Sequence, residues 1–395
     1  MPIEERVFIA GAGPVGLSAA PNLVRHGVPV TVFEAGEDLS AQSRASTFHP
    51  PTLDMLHELG AAAPLMAEGL LAAQFQYRTR EGVIAQFDFA DIADATGHPF
   101  RVQAEQSRLT RILHETLRHK PDLFRIAFAS RVAGVEQDGA AVHVTLDNGG
   151  TSERRSGRWL IGADGARSDV RRALDIAFDG FTWPERFLVV STPFDFHGVM
   201  ADLAPVSYVA DPVRWHFLLK IPGLWRVMFP LVEAVSDEEA TSRAFADTLM
   251  AGVVPGLPRY DIAHTTLYKV HQRVAESFRR GRVFLAGDAA HLNNPLGGMG
   301  MNGGIHDAMN LTARLAGVWT GAVPEAELDR YDPQRRRITL EHIETQSIAN
   351  KRNLECANPD FAPELRRTAA DPQRRRDYLL RVSMIASLRR AASLG

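Results

Sequence analysis

The chain carries a single cysteine, Cys356, in 395 residues. That excludes a disulfide framework within the chain and leaves too little sulfur for a thiolate metal site, so no metal is expected. Long apolar runs are missing too. The first run, Val7 to Ala10, leads straight into a glycine loop and is too short for a signal-peptide core. No uninterrupted run is long enough to span a bilayer, so no integral membrane segment is expected and the chain reads as cytoplasmic. An excess of charge of one sign is the third absence. A formal net charge of -3 creates no field that would draw in nucleic acid or an acidic membrane. What is there is ordinary in bulk, with 45% hydrophobic and 23% charged residues. The length exceeds one simple core, so two domains are expected.

Glycine-centred segments stand out against this background. The first follows Val7–Ala10, where Gly11, Gly13 and Gly16 spell G-x-G-x-x-G before an apolar helical stretch through Leu17, Ala20, Leu23 and Val24. Gly11 makes a tight turn, Gly13 lets the backbone approach a pyrophosphate, and Gly16 lets helix pack on strand. The helix start offers N–H groups and partial positive charge to phosphates. Val28 to Phe33 reads as a second parallel strand, and Glu34 ends it where a carboxylate accepts hydrogen bonds from ribose hydroxyls. An ordinary glycine turn also matches the bare motif. The strand before, the helix after and the acid beyond favour a dinucleotide site. Pro21 falls inside the expected helix and predicts a kink or an early shift.

Helices are expected from Leu53 to Leu59, stopped by Gly60, and from Gln106 to Leu117. Strand-like runs at Arg131–Val135 and Ala141–Leu146, with turns at Asp138-Gly139 and Asn148-Gly149, read as an antiparallel excursion. Trp159 to Gly162 then returns as a core strand. Asp164 and Gly165 follow at its C-terminal edge, where open α/β sheets meet their ligands. Asp164 and Ser168 read equally well as helix N-caps. From Ser191 to about Tyr260, short aromatic-rich runs suggest a mostly antiparallel sheet that can wall a pocket for a flat apolar molecule. Each aromatic taken singly is better read as core.

The last glycine segment begins with Arg282–Ala286, a buried strand candidate ending at Gly287-Asp288. After Asn293-Asn294-Pro295-Leu296 come Gly297, Gly298 and Gly300, and helical periodicity resumes with Ile305, Ala308, Leu311, Leu315 and Val318. Such glycines let the backbone come close to something flat, and the helix aims its positive end at it. A merely flexible loop would not explain the strand-end Asp before it. Taken together, the segments point to FAD and to a redox enzyme.

These residues resemble the single-component FAD-dependent aromatic hydroxylases, the p-hydroxybenzoate hydroxylase-like flavoprotein monooxygenases. Gly11–Glu34, Leu160–Arg171 and Gly287–Leu311 carry the resemblance, which spans most of residues 1–320. It implies an α/β fold: a Rossmann-like FAD-binding domain with an inserted, mostly antiparallel β-sheet substrate domain and a helical C-terminal tail. The expected division is 1–72, 98–182 and 262–320 for the FAD-binding domain, 73–97 and 183–261 for the substrate domain, and 321–395 for the tail.

By the same resemblance, Gly11, Gly13 and Gly16 would hold the pyrophosphate and Glu34 the adenosine ribose. Arg44 and Gln106 would contact FAD. Asp164 and Gly165 would serve FAD and the nicotinamide donor, Asp288 would hold the ribitol chain with Gly287 beside it in the cofactor-binding set, and Pro295, Gly297, Gly298 and Asn302 would line the isoalloxazine. Asn293 and Asn294 depart from the commoner apolar-proline pair before Pro295. The implied reaction begins with NADH or NADPH reducing FAD. Dioxygen then gives a C4a-hydroperoxide, and oxygen passes to a small phenolic or heteroaromatic substrate. Pro295 is the candidate at the reaction site. Tyr208 and His216 are candidates for a base or relay, with His49 and His291 eligible by residue type. The rival readings are a FAD-dependent reductase or dehydrogenase on the same fold and a non-catalytic flavin-binding module.

Beyond Pro324 the chain is charged and helical. Arg335–Arg337 and Arg374–Arg376 read as solvated helix faces. Leu379, Leu380, Val382, Met384, Ile385 and Leu388 form a face for the sheet domain or for the second subunit of a homodimer.

Overall fold

Val7, Phe8, Ile9 and Ala10 are buried on both sides, as a continuous apolar run is in the middle of a parallel sheet. The structure, a computed structural model, describes residues 3–42, 45–211, 214–231, 235–257, 259–344 and 360–394. Arg44 and Cys356 lie outside the described residues. Strand β1 (Glu4–Ala10) runs parallel to β2 (Val30–Phe33) on one side and to β11 (Ser152–Gly162) on the other. β8 (Phe124–Ala127) continues the parallel sheet beyond β2, and β18 (Val283–Leu285) beyond β11. β17 (Arg279–Arg280) closes one edge antiparallel.

The helix Pro14–Val24 connects β1 to β2 and neither ends nor shifts at Pro21. Only the bond that a residue-21 N–H would have made is lost. Tertiary contact offsets it: residues 16–24 are all buried, and Asn22 Nδ2 donates to Thr312 Oγ1 at 2.6 Å, on the helix Met299–Trp319. The antiparallel excursion is β9 (Arg131–Gln137) and β10 (Val142–Asp147). It pairs with the first half of β11, which starts at Ser152 and not at Trp159. Glu153, Arg154 and Arg155 hide that half from a pattern search because they flank the sheet, not its core.

The other large sheet has the order β19-β16-β12-β15-β14-β13-β5-β6. Its strands are β5 (Gln74–Arg78), β6 (Val83–Asp88), β12 (Phe178–Thr192), β13 (Val206–Val209), β14 (His216–Ile221), β15 (Leu224–Leu231), β16 (His264–Ala275) and β19 (His291–Leu292). Every neighbouring pair is antiparallel except β13 with β5. One face, with Leu188, Val209, Leu218 and Val227, packs under the helix Arg243–Ala251. The opposite face, with Phe75, Tyr77, Phe187 and Tyr208, packs against the tail. A small third sheet joins β3 (Thr47–Phe48) and β4 (Leu70–Ala72) to β7 (Arg101–Gln103).

The tail helices Phe361–Ala370, Pro372–Val382 and Ile385–Ser393 spend their apolar face inside the chain. Leu379, Val382 and Ile385 join the Phe75 cluster, and Met384 packs on Met299. Each fully buried aliphatic side chain of this kind is worth about 1.5–3 kcal/mol. The basic clusters are not simply solvated. Arg375 reaches Asp91 at 2.6 Å and Arg376 reaches Asp94 at 2.6 Å, pinning the tail beside β6. Arg335 is 1% exposed and paired with Asp307. Among the described residues no helix is long and apolar enough to cross a membrane, and no His, Cys, Asp or Glu cluster could hold a metal ion.

Candidate functional site

β18, β11, β1 and β2 end side by side. Ala286 N donates to Gly162 O at 3.0 Å, Ala163 N to Ala10 O at 2.9 Å, and Gly11 N to Phe33 O at 2.8 Å. Asp288, Asp164, Gly11 and Glu34 therefore follow one another along a single sheet edge, in the crevice where open parallel sheets bind ligands. Glu34 accepts from Ala12 N at 2.7 Å and from Gly36 N at 2.8 Å, which fixes its carboxylate beside the glycine loop. Asp288 is exposed at the edge. Asp164 is bound to the helix start behind it. Its oxygens accept from Ser168 Oγ at 2.6 Å and Val170 N at 3.1 Å. Gln106 opens the helix Gln106–Leu117, half-buried, with its N–H on Ala45 O.

The edge fits FAD on its own geometry. Gly11 has φ +99°, and a Cβ there would stand 2.5 Å from the Ala163 carbonyl oxygen. A Cβ at Gly16 would stand 2.0 Å from Gly11 O, so strand and helix touch backbone to backbone. A Cβ at Gly13 would meet no protein atom within 4 Å. The backbone is thus exposed where a pyrophosphate must approach. The helices beginning at Pro14 and Met299 have no side-chain cap and no acid in the first turn. Their orphan N–H groups and positive ends suit an anionic ligand. Gly165, at φ +79°, likewise leaves open space.

Asn302 is a brace. Its Nδ2 donates to Thr47 O at 2.8 Å and Gly298 O at 2.6 Å, and its Oδ1 accepts from His49 N at 2.9 Å. His49 in turn bonds Gly297 O through Nε2 at 2.7 Å. Burial, then the nearby Arg101 charge, holds the His49 imidazole well below its ordinary pKa, so the ring is neutral and Nε2 donates. The loop at Gly297–Gly298 is therefore stitched to β3. Asn302→Ala should cost about 2–3 kcal/mol through these lost bonds. A lower urea midpoint and faster FAD release are the expected readings. Unchanged values of both would remove the bracing role.

A small cavity opens between this loop and the second sheet, lined by Tyr77, Arg101, Tyr208, Gly297, Met299 and Tyr378 among others. Tyr208 stacks between Tyr77, at 4.8 Å, and Phe217, at 4.7 Å. Tyr378 Oη donates to Tyr77 Oη at 3.1 Å. Burial pushes the Tyr378 phenol up to about 12. Tyr77 is pushed well up by burial and then by Tyr378 and Tyr208. Tyr208 is raised by burial against the opposing charge of Arg101. All three are neutral donors near pH 7.

Tyr208 is in the cavity, but His216 is not. It pairs with Val209 across the strands, one step out of phase with Tyr208, and so lies on the opposite face near Phe229. Burial lowers its imidazole to about 4. Pro295 is exposed, and its carbonyl accepts from Gly298 N at 3.0 Å, which shapes the loop ahead of the cavity wall. His291 is buried against Asp307 at 2.7 Å. Arg101, Tyr77 and Tyr378 were not candidates on sequence. Arg101 sits on a strand of three residues, and Tyr378 follows three arginines.

Residues 4–346 match the family described as FAD binding domain. The para-nitrophenol 4-monooxygenase of a Pseudomonas species is 36% identical over 352 residues, covering 87% of this chain and 86% of that protein. The 6-hydroxy-3-succinoylpyridine 3-monooxygenase of Pseudomonas putida is 34% identical over 390 residues, 96% of this chain and 98% of that one. The crystal structure of p-nitrophenol 4-monooxygenase from Pseudomonas putida superposes with a TM-score of 0.91 at 31% identity, over 98% of this chain and 99% of that one. The glycine loops on one sheet edge are thus accompanied by likeness almost from end to end, and the chain belongs to the FAD-dependent aromatic hydroxylases, with FAD as its cofactor.

Proposed function

We propose that the protein hydroxylates a single-ring phenolic or heteroaromatic substrate in the cavity between the Gly297 loop and β5–β13, with NADH or NADPH and dioxygen as co-substrates. The observation that carries this reading is the cavity's two-sided wall: Gly297 and Met299 on the cofactor side, stacked tyrosines on the other. Gly11, Gly13 and Gly16 would hold the pyrophosphate, Glu34 the ribose, Gln106 and Asp288 further parts of the nucleotide, and Gly297 and Gly298 the ring system. Bound FAD would pass the reducing equivalents of NADH or NADPH to dioxygen and so activate it.

The chain's own residues orient and enclose. Tyr208, covered on its two faces by Tyr77 and Phe217, would present its ring edge and hydroxyl to a flat ring. The neutral hydroxyls of Tyr77 and Tyr208 can donate to a ring oxygen, Tyr378 having committed its proton to the bond with Tyr77. Enclosure of the cavity by the loop, the sheet and the tail would limit the access of water, which protects reactive oxygen species from wasteful decay. The relatives named above act, by their names, on a nitrophenol and a hydroxypyridine. A chain with one cysteine suits a reducing compartment, and the cytoplasm is the proposed one.

Purified protein should be yellow, and NAD(P)H oxidation with oxygen uptake should rise sharply when a suitable phenol is added. Substrate turnover without oxygen uptake would indicate a reductase. FAD binding with no stimulated oxidation across a broad phenol set would leave only a binding module.

A further inference from the structure

We propose that Met299 is an oxidation site: hydrogen peroxide formed at the cavity converts its thioether to the sulfoxide, and the docked tail loosens in consequence. This rests on the placement of the flavin ring against the Gly297 loop and adds to it the fate of oxygen when no substrate takes it. Met299 opens the helix Met299–Trp319 directly after Gly298 and lines the cavity. It is 1% exposed and belongs to none of the three large apolar clusters. Its apolar partner is Met384 of the tail, and the two form a cluster of their own.

Met384 holds an uncommon backbone. At φ +69° and ψ 7° it stands between the helices Pro372–Val382 and Ile385–Ser393, in the left-handed place after a helix end that glycine usually takes. A side chain is kept where glycine would be easier, and it is buried against Met299. Tyr378 and Val382, on the helix before that turn, line the same cavity as Met299. One contact between thioether side chains thus joins the cavity wall to the turn that sets the tail's cavity-facing helix.

Dioxygen takes two electrons from the reduced cofactor. With a substrate bound, one oxygen atom goes to the ring and the other leaves as water. With none, two protons join and both atoms leave together as hydrogen peroxide. A thioether then takes one oxygen of the peroxide. Its S–O bond forms as the O–O bond breaks, sulfur is oxidised, and the other oxygen leaves as water. Met299 is the methionine on the wall where that peroxide arises. Its sulfoxide is polar and stands where an apolar contact is needed, so Met384 loses the partner that holds its turn. Among the described methionines only Met55 and Met66 are not buried, and neither lines the cavity. Exposure ranks those two first, whereas nearness to the cavity ranks Met299 first.

The test lets the source of peroxide choose between these orders. The FAD-loaded enzyme is reduced with one equivalent of dithionite and returned to air, over repeated cycles, with catalase in the buffer and no aromatic compound. A second sample receives hydrogen peroxide in the buffer without catalase. Peptide mass spectrometry reads the gain of one oxygen at each methionine. Flavin cycling should load Met299 with about fivefold more sulfoxide than Met55 or Met66, and added peroxide should reverse the order. The urea midpoint should fall in cycled wild type and hold in Met299→Leu, a swap of similar volume. Cycling that oxidises Met55 and Met66 first, or leaves Met299 untouched, would overturn the proposal. So would an equal fall of the midpoint in Met299→Leu. Should Met299→Leu not hold FAD, the order of oxidation in wild type decides. The hydroxylase reading is judged apart, by phenol-stimulated oxygen uptake. Met299 oxidation without such uptake would sink that reading and leave the site, whereas stimulated uptake with Met299 untouched would sink the site alone.

Discussion

Alanine at Gly13 should give a folded protein that purifies without flavin, while alanine at Gly11 should damage the fold itself. The two positions lie in one loop but fail for different physical reasons. Gly13 has φ -72°, which any residue adopts, and a methyl there touches nothing in the protein. Folding stability should stay level or rise by about 0.4–1 kcal/mol as the unfolded chain loses freedom. The methyl instead occupies the space through which the backbone and the first helix meet the pyrophosphate. Lengthening one or two charge-assisted hydrogen bonds costs about 2–4 kcal/mol, or roughly 30- to 1000-fold in FAD affinity. Gly11 is held at φ +99°, a strain of about 1–3 kcal/mol for alanine. Its methyl would also press to 2.5 Å on the Ala163 carbonyl, so β1 and β11 would have to part at the cofactor edge. Flavin absorbance after gel filtration and the urea midpoint by circular dichroism separate the two effects. A Gly13→Ala protein that keeps its full flavin would break the assignment of this loop to the pyrophosphate. A Gly11→Ala protein with the wild-type midpoint would break the packing argument.

That contrast also marks what the sequence could tell. The cofactor edge is legible because each part of it is local. A continuous apolar run, a glycine and a strand-end acid lie within a few residues of one another at Asp164 and Gly287, and at Gly11 the acid, Glu34, ends the very next strand. No long-range contact is needed to read them. The substrate cavity is not local. Tyr77, Arg101, Tyr208 and Tyr378 come from four separate stretches and meet only once the tail has docked. Arg101 sits on a strand too short to show a period, and the charges around Tyr378 suggest solvent. His216 shows the opposite error. Its type suits a base, but the two-residue alternation that puts Tyr208 and Phe217 on one face puts His216 on the other. Arg335 could have been found. Asp307 lies among Ile305, Ala308 and Leu311 on the apolar face of its helix, and a carboxylate on a buried stripe demands a cation.

Arg335→Met tests that demand, with an expected loss of about 3–5 kcal/mol, because one partner of a fully buried pair disappears. Arg335 Nε donates to Asp307 Oδ1 at 2.6 Å, at exposures of 1% and 0%. The other oxygen of Asp307 accepts from His291 Nε2 at 2.7 Å and from Gly287 N at 3.1 Å. Burial alone would raise the Asp307 carboxyl, but the Arg335 charge and then His291 outweigh it and hold the group at about 2. The unfolded value is about 3.9. The folded value is the lower one, so this contribution is fully present above about pH 4 and is lost as pH falls through about 2. It amounts to roughly 2–3 kcal/mol. Without Arg335 the carboxyl should bind a proton more readily, and that acid-sensitive share of stability should shrink. Urea midpoints at neutral and acid pH read both effects. Because Asp307 holds the N–H of Gly287, which precedes the edge residue Asp288, FAD should also leave faster. The double variant Arg335→Met/Asp307→Leu should recover only part of the loss. It removes the stranded charge but leaves Gly287 N–H and His291 without their acceptor. Full recovery in the double variant, with normal flavin retention, would show that the pair merely fills space. Partial recovery with weakened flavin would show that one buried carboxylate both joins the two helices and sets the cofactor turn.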